Sequence, residues 1–339
     1  MRAAVLKRYG APLEIGERPD PVPGPGQVVL DVAACGVCGS DRFLQAGGFD
    51  STLPIVPGHE AAGYVRAIGQ GVTGLAEGML AAIYYIQSCG ACVRCRDGRP
   101  NLCLDLSRMG VDTDGAFATQ VVVPATSVLP VDPSLDPAVL AVLTDAVGTG
   151  YHALTRIARL QAGERVVVFG VGGIGSNVVQ LARHLGGRVL AVSRRAHKLQ
   201  LARELGAEAT VTDADDTAGA IAEWAGPGGP ELVIQTVGDP KVDRRAVEVA
   251  GVGARVVFVG ASTGPFEVRA TELIWRELRL LGSRGFTPDD IREVVALERE
   301  GVLRTDHLIS KRRPLAEVND ALQDLADGAV LRTVIEPDR

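Results

Sequence analysis

A glycine-rich turn between two apolar runs constrains the fold of this chain more than any other feature of its sequence. The run ERVVVFG is followed by GVGGIGSNVVQLARHLGG, which has the spacing of an amphipathic helix, and then by RVLAVSRR. Gly170, Gly172 and Gly175 form G-x-G-x-x-G where the first run passes into the helix. Such glycines permit a tight turn, close approach of a pyrophosphate and close packing of helix on sheet. The pattern predicts a strand, helix, strand unit that binds a dinucleotide; alternatively, the glycines serve turn geometry alone.

The end of the second run indicates which dinucleotide is bound. A site for NAD usually has an acidic residue there for the ribose hydroxyls, but this chain has Ser193, Arg194 and Arg195, with His197 and Lys198 close behind. A guanidinium fork suits a 2′-phosphate, so the sequence favours NADP(H) over NAD(H). Alternatively, the arginines only begin a solvated helix. The residues predicted to bind the cofactor in this unit are Gly170, Gly172, Gly173, Ile174, Gly175, Ser193, Arg194, Arg195 and Lys198.

The alternation of apolar runs and helix-period segments continues beyond this unit, whereas the first third of the chain differs. The runs PELVIQTVG, ARVVFVGAST and LRLLGSRG are separated by segments such as PKVDRRAVEVAG, which is typical of a doubly wound parallel sheet. Earlier segments such as GQVVLDVAA are short, β-rich and punctuated by turns. The sequence predicts an α/β chain of two domains, with 147–285 as the parallel-sheet domain. Residues 1–146 and 286–339 are predicted to form the β-rich domain. The C-terminal segment 286–339 thus returns to complete the domain begun by the first 146 residues.

Charge and hydropathy exclude several classes of protein. The formal net charge of -6 argues against a general nucleic-acid-binding or membrane-surface protein. The N-terminus has no apolar run of signal-peptide length, and no later run approaches the roughly 18 to 20 apolar residues of a membrane span. We therefore expect a cytoplasmic location, where thiols stay reduced and clustered cysteines bind metal or take part in catalysis more often than they form disulfides.

Four cysteines are concentrated in the segment CGACVRCRDGRPNLC. Cys89, Cys92, Cys95 and Cys103 have the spacing C-x2-C-x2-C-x7-C, which lets four thiolates surround one ion and leaves no position open for chemistry. An iron–sulfur cluster could use four cysteines, but no proline follows the fourth and no second cluster accompanies it. The segment predicts a structural zinc site, with buried unligated thiols as the alternative.

A second metal site is indicated by residues from three separated segments. Cys38 lies in ACGVCGSD, His59 and Glu60 in VPGHEAAG, and Asp145 in VLTDAVGTGYHAL. Cysteine, histidine and a carboxylate could hold zinc and leave one position open for a substrate. The alternatives are a buried small side chain for Cys38, as for Cys35, a loop histidine for His59 and a helix N-cap for Asp145.

At these residues the chain resembles a known family. The motifs CGVCGSD, PGHEAAG, CGACVRCRDGRPNLC and GVGGIG, in this order and over essentially the whole length, are similar to those of zinc-containing alcohol dehydrogenases of the medium-chain dehydrogenase/reductase family. The resemblance implies a GroES-like catalytic domain and a Rossmann coenzyme domain. It also implies two zinc ions per chain, one catalytic and one structural, and hydride transfer between nicotinamide C4 and an alcohol or carbonyl whose oxygen zinc polarises.

The resemblance also assigns roles around the catalytic zinc. It makes Cys38, His59 and Asp145 the zinc ligands and Glu60 a neighbouring carboxylate able to coordinate as well. Asp41 is the carboxylate that orients the ligand histidine, and Ser40 is the hydroxyl that takes the substrate proton.

Further positions follow from the same resemblance. The implied cofactor contacts are Thr149, Val237, Val259 and Ser283 on the nicotinamide side and Arg332 at the pyrophosphate, and the implied walls of the substrate pocket are Phe49 and Tyr85. For each of these residues, core packing is the alternative.

Two positions depart from the family: Phe43 stands where many members have a proton-passing histidine, and Gly39 where some have a basic residue. The exit of the proton is therefore unassigned.

Three functions are compatible with these features. The first is an NADP(H)-dependent zinc alcohol dehydrogenase or carbonyl reductase acting on a small alcohol, polyol, ketone or aldehyde. The second is a reductase of an activated C=C bond in an enoyl thioester or quinone, whose relatives commonly lack the catalytic zinc ligands. The third is a non-catalytic NADPH-binding protein.

The resemblance further implies a homodimer or homotetramer formed through edges of the parallel sheet, with ARVVFVGAST and LRLLGSRG as expected edge strands.

Overall fold

A computed structural model describes residues 1–214 and 216–337 of the chain. The β-strands of these residues, numbered along the chain, are β1 Arg2–Val5, β2 Glu14–Glu17, β3 Gln27–Gly36, β4 Glu60–Ile68, β5 Leu80–Ile83, β6 Ile86–Gln87, β7 Ser107–Arg108, β8 Gln120–Pro124, β9 Val128–Pro130, β10 Arg165–Phe169, β11 Arg188–Ser193, β12 Ala209–Thr212, β13 Leu232–Gln235, β14 Arg255–Phe258, β15 Arg279–Gly282, β16 Ile309–Pro314 and β17 Arg332–Glu336.

The α-helices are numbered in the same way. They are α1 Gly39–Gln45, α2 Val93–Arg96, α3 Pro137–Val142, α4 Gly148–His152, α5 Gly173–His184, α6 Ala196–Glu204, α7 Thr217–Ala225, α8 Pro240–Val249, α9 Ala270–Arg276, α10 Pro288–Arg299 and α11 Val318–Ala326. Two π-helical turns, Leu143–Val147 and Ala153–Ala158, flank α4. Short 3-10 turns occupy Pro100–Leu102, Ala125–Ser127 and Leu315–Glu317. No helix of the described residues is long and apolar enough to cross a membrane.

The contacts divide the chain into two compact units. The first unit comprises Met1–Asp145, Thr287–Val295 and the residues from Thr305 onward, and the second unit comprises Ala146–Phe286 and Ala296–Arg304. The sequence prediction differs by one residue at each main boundary and assigns 296–304 to the β-rich domain. Within the second unit, the side-chain amide of Gln180 donates to the carbonyl of Arg304 (3.1 Å) and accepts from its N–H (2.9 Å). These two hydrogen bonds attach the end of 296–304 to α5.

A six-stranded parallel sheet forms the second unit. Its order is β12, β11, β10, β13, β14, β15, and each neighbouring pair is parallel. The central strands are rich in β-branched residues and fully buried, as in Val166 and Val168, because helices cover both faces of such a sheet. This strand order is that of dinucleotide-binding folds, with the first strand β10 beside the point where the order reverses. The predicted doubly wound sheet is confirmed.

The edges of this sheet differ in part from the prediction. The run LRLLGSRG provides β15, which is an edge strand, but ARVVFVGAST provides β14, which lies inside the sheet between β13 and β15. The opposite edge is β12, Ala209–Thr212, a short strand whose residues are half-buried or exposed. The prediction of β14 as an edge strand was wrong because sheet order depends on helical crossovers, which the apolar runs do not encode.

A seven-stranded mixed sheet forms the core of the first unit. Its order is β16, β17, β3, β4, β5, β9, and β8 pairs with β3 as well. The long strand β3 is buried at most of its positions and pairs antiparallel with β4 and β8. Strand β17 pairs antiparallel with the end of β3, through Val334 opposite Gly36 and Ile335 opposite Cys35. The tail of the chain therefore returns to this unit, and the start of β17 lies beside the end of β3.

Candidate active site and metal centres

The pairing of β3 with β4 brings the predicted ligands of the catalytic metal together. Gly36, the last residue of β3, lies opposite Glu60, the first residue of β4. Cys38 therefore emerges from the end of β3, where it precedes α1, and His59 stands immediately before β4 at the same end of the sheet. Neither residue is more than 6% exposed. Two residues far apart in the sequence become neighbours because the strands that carry them are paired.

Asp145 completes this group from a distorted helical turn. It lies in the π-helical turn Leu143–Val147 that follows α3, and it is 7% exposed. Wide turns of this type are rare and occur frequently at functional sites. The alternative interpretation of Asp145 as a helix N-cap does not fit, because the residue stands inside the turn and not before its start.

The separations of the donor atoms fit a single metal ion. One ligand atom each of Cys38, His59, Glu60 and Asp145 lies within 4.8 Å of the others, and all four residues are buried. The Sγ of Cys38 is 3.4 Å from Oδ2 of Asp145, and Nε2 of His59 is 3.8 Å from the same oxygen. Tetrahedral zinc bonds of the usual lengths would separate such donors by about 3.4 to 3.6 Å. The residues present therefore fit a zinc ion.

Asp41 fixes the orientation of the histidine in this group. Its Oδ1 lies 3.1 Å from Nδ1 of His59, and its Oδ2 accepts a hydrogen bond of 2.8 Å from the N–H of Cys38. Nδ1 of the histidine is thus engaged with the carboxylate and Nε2 faces Asp145. Burial acts to lower the pKa of His59, but Asp41 and Asp145 outweigh it and raise that pKa well above its usual value. A histidine held in this way presents a fixed nitrogen to a metal.

Glu60 shares its site with a buried arginine. The Nε of Arg332 donates to both carboxylate oxygens of Glu60, at 3.0 and 3.1 Å, and Nη2 lies 3.6 Å from Sγ of Cys38. Burial raises the pKa of Glu60 to about 8, and the guanidinium opposes that rise. A side chain at Gly36 would meet Oε2 of Glu60 at 2.2 Å, so only glycine leaves room for this pair. Arg332, predicted at the pyrophosphate, is here 4% exposed and engaged with Glu60.

Ser40 and Cys35 lie near this group but differ in their position relative to its donor atoms. The hydroxyl of Ser40 lies 3.8 Å from Sγ of Cys38, so it adjoins the donor atoms. Cys35 is fully buried and stands outside the donor group, and burial raises the pKa of its thiol well above the usual value. Cys35 is thus a packed thiol outside the group of candidate metal ligands.

The four clustered cysteines converge as their spacing predicts. The Sγ of Cys103 lies 3.4 Å from that of Cys89, and the Sγ of Cys92 lies 3.6 Å from that of Cys95. Four sulfurs around tetrahedral zinc are about 3.8 Å apart, whereas a disulfide would need about 2.05 Å. Backbone hydrogen bonds around Leu104 and Cys95 lower the pKa of Cys92 to about 6, which favours the thiolate that binds metal. The donor set fits a structural zinc ion.

Aromatic side chains adjoin the catalytic group within the first unit. Tyr85, predicted on the substrate pocket wall, packs its ring edge-on against His59 with centroids 5.2 Å apart. Phe49, the other predicted wall residue, packs edge-on against Phe43 at 4.9 Å. The guanidinium of Arg108 lies 4.8 Å above the ring of Phe49. Arg108 was missed by the sequence reasoning, since it belongs to no motif and its strand β7 has only two residues.

The glycine turn of the second unit has the geometry that its motif predicts. Gly170 has a φ of 92°, which disfavours any other residue, and a side chain at Gly175 would meet the carbonyl oxygen of Gly170 at 2.0 Å. The turn lines a cavity of about 410 Å³ at the carboxyl end of β10 and β11. Gly173 and Ile174 begin α5, whose N-terminal N–H groups suit a phosphate.

The wall of this cavity is rich in cations. Its charged lining residues are Arg194, Arg195, Lys198, Asp213, Asp239, Lys241 and Arg245, and Ser193 lies among them. Both acids are engaged: Asp213 pairs with Arg245, and Asp239 accepts from the N–H of Lys241 to begin α8. Burial and the charges of Arg195 and Arg194 lower the pKa of Lys198, a sign of local cation excess. Lys241 and Arg245 were not predicted, because they follow β13 and lie far from the arginine pair in sequence.

The predicted nicotinamide contacts occupy one edge of the parallel sheet. Val237, Val259 and Ser283 follow β13, β14 and β15 respectively, so all three stand at carboxyl ends of parallel strands. Val237 lines the cavity, whereas Val259, Ser283 and Thr149 do not. The hydroxyl oxygen of Ser283 is buried without a hydrogen-bond partner among the described residues, and Thr149 is 6% exposed within α4. Their contacts with a nicotinamide stay predictions.

Comparison with known families covers both units. Residues 24–133 match the alcohol dehydrogenase GroES-like domain, and residues 173–299 match the zinc-binding dehydrogenase family. The predicted GroES-like fold of the β-rich domain is therefore confirmed alongside the Rossmann sheet.

Individual relatives agree with these matches. The chain is 34% identical to the NDMA-dependent alcohol dehydrogenase of Amycolatopsis methanolica over 98% of both chains. It is 30% identical to the 2-dehydro-3-deoxy-L-galactonate 5-dehydrogenase of Pseudoalteromonas atlantica over 89% of both chains. A crystal structure of a zinc-binding dehydrogenase from Sinorhizobium meliloti 1021, bound to NADP, superimposes with a TM-score of 0.92 at 34% identity and covers 99% of both chains. The chain belongs to the zinc-type alcohol dehydrogenases of the medium-chain dehydrogenase/reductase family.

Proposed function

We propose that this protein is an NADP(H)-dependent zinc alcohol dehydrogenase or carbonyl reductase that acts on a small alcohol, polyol, ketone or aldehyde. The observation that carries the proposal is the buried donor group of Cys38, His59, Glu60 and Asp145, whose ligand atoms lie within 4.8 Å of one another. Reduction of a C=C bond and a non-catalytic role have no use for this second metal group. The name of the Pseudoalteromonas relative, a sugar-acid dehydrogenase, supports including polyols.

The chain's own residues supply binding, orientation and proton transfer. A bound zinc ion supplies a Lewis acid, and NADP(H) supplies the hydride acceptor or donor. Cys38, His59 and Asp145 would hold the metal, and Asp41 engages Nδ1 of His59 so that Nε2 stays available as a ligand. The hydroxyl of Ser40 adjoins the donor atoms and accepts the proton of an alcohol substrate. Phe43 carries no titratable group, so the proton leaves Ser40 by another route.

The preference for NADP(H) rests on the charges of the cavity in the second unit. Arg194 follows β11 at the position where a ribose-binding carboxylate would indicate NAD, and it makes no ion pair with a described residue. The acids of the cavity wall are already engaged with Arg245 and with the start of α8. A 2′-phosphate would therefore meet the charge of Arg194 and no unengaged carboxylate of the described cavity wall.

Replacing both Arg194 and Arg195 with Ala tests this function and its cofactor preference together. The wild-type enzyme is expected to oxidise secondary alcohols with NADP⁺ and to bind NADPH more tightly than NADH. The double variant should weaken NADPH binding by about 10- to 100-fold, because charge-assisted hydrogen bonds to the phosphate are lost. NADH binding should change by less than about threefold. Fluorescence titration of both cofactors measures the difference.

The matched control is Arg203→Ala, which removes an exposed arginine from the last turn of the same helix α6. This variant should bind both cofactors like the wild type. If the double variant loses affinity for NADPH and NADH equally, Arg194 and Arg195 do not recognise the 2′-phosphate. Absence of alcohol oxidation by the zinc-replete wild-type enzyme with either cofactor would contradict the function itself.

We also propose that the protein is a homo-oligomer, a dimer or a tetramer. The edge strand β15 leaves one row of backbone groups unpaired within the sheet, and Ile274 and Trp275 on the preceding α9 are 71% and 81% exposed. Open strand edges beside apolar side chains are commonly covered by association. Light scattering should give a multiple of 35.5 kDa, and a mass equal to one chain would refute the proposal.

A further inference from the structure

An aromatic and cationic wall adjoins the catalytic metal group in the first unit. Tyr85 packs against His59, and the register of the small sheet places Arg108 of β7 opposite Ile86, directly after Tyr85. The backbone continues this contact, since the N–H of Met109 donates to the carbonyl of Tyr85 at 2.9 Å. Arg108 is therefore attached to the segment that carries Tyr85 beside the metal ligand.

The guanidinium of Arg108 is held rigidly in this wall. Its Nε and Nη2 donate to the two carboxylate oxygens of Asp112, each at 2.8 Å, in a bidentate pair. Its Cζ lies 4.8 Å from the centroid of the Phe49 ring, which packs edge-on against Phe43. The bidentate pair fixes the direction of the guanidinium, and the contact with Phe49 adds a cation–π attraction. The side chain is 26% exposed, so it is accessible from solvent.

The opposite side of the guanidinium has unused donors. Nη1 of Arg108 makes no hydrogen bond with any described residue, so both of its N–H groups are free for a ligand. Asp112 balances the charge of Arg108, and the remaining donors therefore suit an oxygen acceptor, neutral or anionic. The rings of Phe49, Phe43 and Tyr85 are half-buried, so part of their apolar surface stays accessible to a carbon skeleton.

We propose that Arg108 determines substrate specificity by donating Nη1 hydrogen bonds to a second oxygen of the substrate. The preferred substrate then carries an oxygen acceptor besides the reacting one, as in a vicinal diol, a hydroxyketone or a hydroxy acid. An unsubstituted hydrocarbon alcohol leaves the donors of Arg108 without a partner and reacts less efficiently. This inference rests on the proposed dehydrogenase function and narrows its substrate class.

The test compares three secondary alcohols of similar carbon skeleton: butan-2-ol, butane-2,3-diol and 3-hydroxybutanoate. The wild-type enzyme should show higher kcat/KM for the diol or the hydroxy acid than for butan-2-ol. Arg108→Met should lower kcat/KM for the preferred oxygenated substrate by about 10- to 100-fold, chiefly through KM, since a hydrogen bond from a charged donor is lost. The value for butan-2-ol should change by less than about threefold. Arg108→Gln retains an N–H donor and should recover part of the loss.

Control measurements separate this role from a structural one. Arg66→Met removes an exposed arginine of the first unit, paired with Asp31, and should leave all three kcat/KM values unchanged. Zinc content and melting temperature of the Arg108 variants should match the wild type. A larger loss for 3-hydroxybutanoate identifies a carboxylate as the second oxygen, and a larger loss for the diol identifies a hydroxyl.

Two results would overturn the inference. If Arg108→Met loses kcat/KM equally for butan-2-ol and for the oxygenated substrates, Arg108 only supports the fold of the wall. If Arg108→Met oxidises butan-2-ol and keeps the wild-type kcat/KM for the oxygenated substrates, Arg108 does not bind substrate. The proposed dehydrogenase function would be unaffected by that result. Inactivity of the zinc-replete wild-type enzyme towards all three alcohols and their ketones would overturn the proposed function, and this inference with it.

Discussion

Replacing Asp145 with Asn is expected to lower alcohol dehydrogenase activity by about a thousandfold and to reduce zinc content from two ions per chain to one. Asn has nearly the same volume but no negative charge, so the 7% exposed site should keep its packing. The change removes the negative charge of the carboxylate whose Oδ2 lies 3.4 Å from Sγ of Cys38 and 3.8 Å from Nε2 of His59. Loss of the metal removes several kcal/mol of charge stabilisation in the transition state.

Elemental analysis and steady-state kinetics on the same preparation measure both effects. The control is Asp136→Asn, the same substitution at the N-cap of α3, where Asn caps a helix as well as Asp does. This variant should keep two zinc ions and its activity. Retention of both by Asp145→Asn would end the assignment of Asp145 as a metal ligand.

The parts of the site carried by short segments could be predicted from the sequence. The glycines lie within residues 170–175, and the four clustered cysteines lie within residues 89–103. Within each of these short segments, spacing along the chain approximates spacing in the fold. Their geometry follows from local rules: a left-handed backbone at Gly170 and sulfurs near one another in the cysteine segment. These features need no knowledge of how distant strands pair.

The parts that depend on distant pairing were harder to predict. Arg332 contacts Glu60 across 272 residues, because β17 and β4 both pair with β3. Arg108 and Tyr85 meet through β6 and β7, which are two residues long and carry no alternating pattern. The resemblance to a family pointed to distant residues such as Arg332 and Tyr85, whose roles stay predictions. It did not point to Arg108, whose position beside Phe49 had to come from the structure.

The order of strands in the second unit shows the same limit. Each apolar run could be recognised, yet β14 was expected at an edge that it does not occupy, and the half-exposed β12 was overlooked. Apolar content reports whether a strand is buried but not which strands flank it. The attachment of 296–304 to the second unit depends in a similar way on the pairing of Gln180 with Arg304, across 124 residues.

The cysteine segment depends on metal more than on an apolar core. Its helix α2 has no buried residue, and Val93 and Leu104 are 49% and 72% exposed. Among its four cysteines, only Cys103 is buried. Such a segment buries little apolar surface, so we expect its fold to depend on a zinc ion bound by its four thiolates.

Replacing Cys92 with Ser is therefore expected to release the structural zinc and to disorder the segment from Cys89 to Cys103. Structural zinc contributes about 10 to 16 kcal/mol of binding free energy in small zinc-dependent folds, and three thiolates retain only part of it. Trypsin should then cut after Arg94 and Arg96 at least about 100 times faster than in the wild type, because cleavage tracks the population of the open segment. Elemental analysis should find one zinc ion per chain.

The control for this change is Cys35→Ala, which removes a fully buried cysteine of the same unit that lies outside both donor groups. It should keep two zinc ions and the slow cleavage of the segment, even if the small cavity lowers its melting temperature. The Cys92→Ser enzyme should keep the ion held by Cys38, His59 and Asp145, because those donors stand in a separate buried group. Unchanged zinc content and unchanged cleavage after Arg94 and Arg96 would mean that packing, and not metal, holds the cysteine segment together.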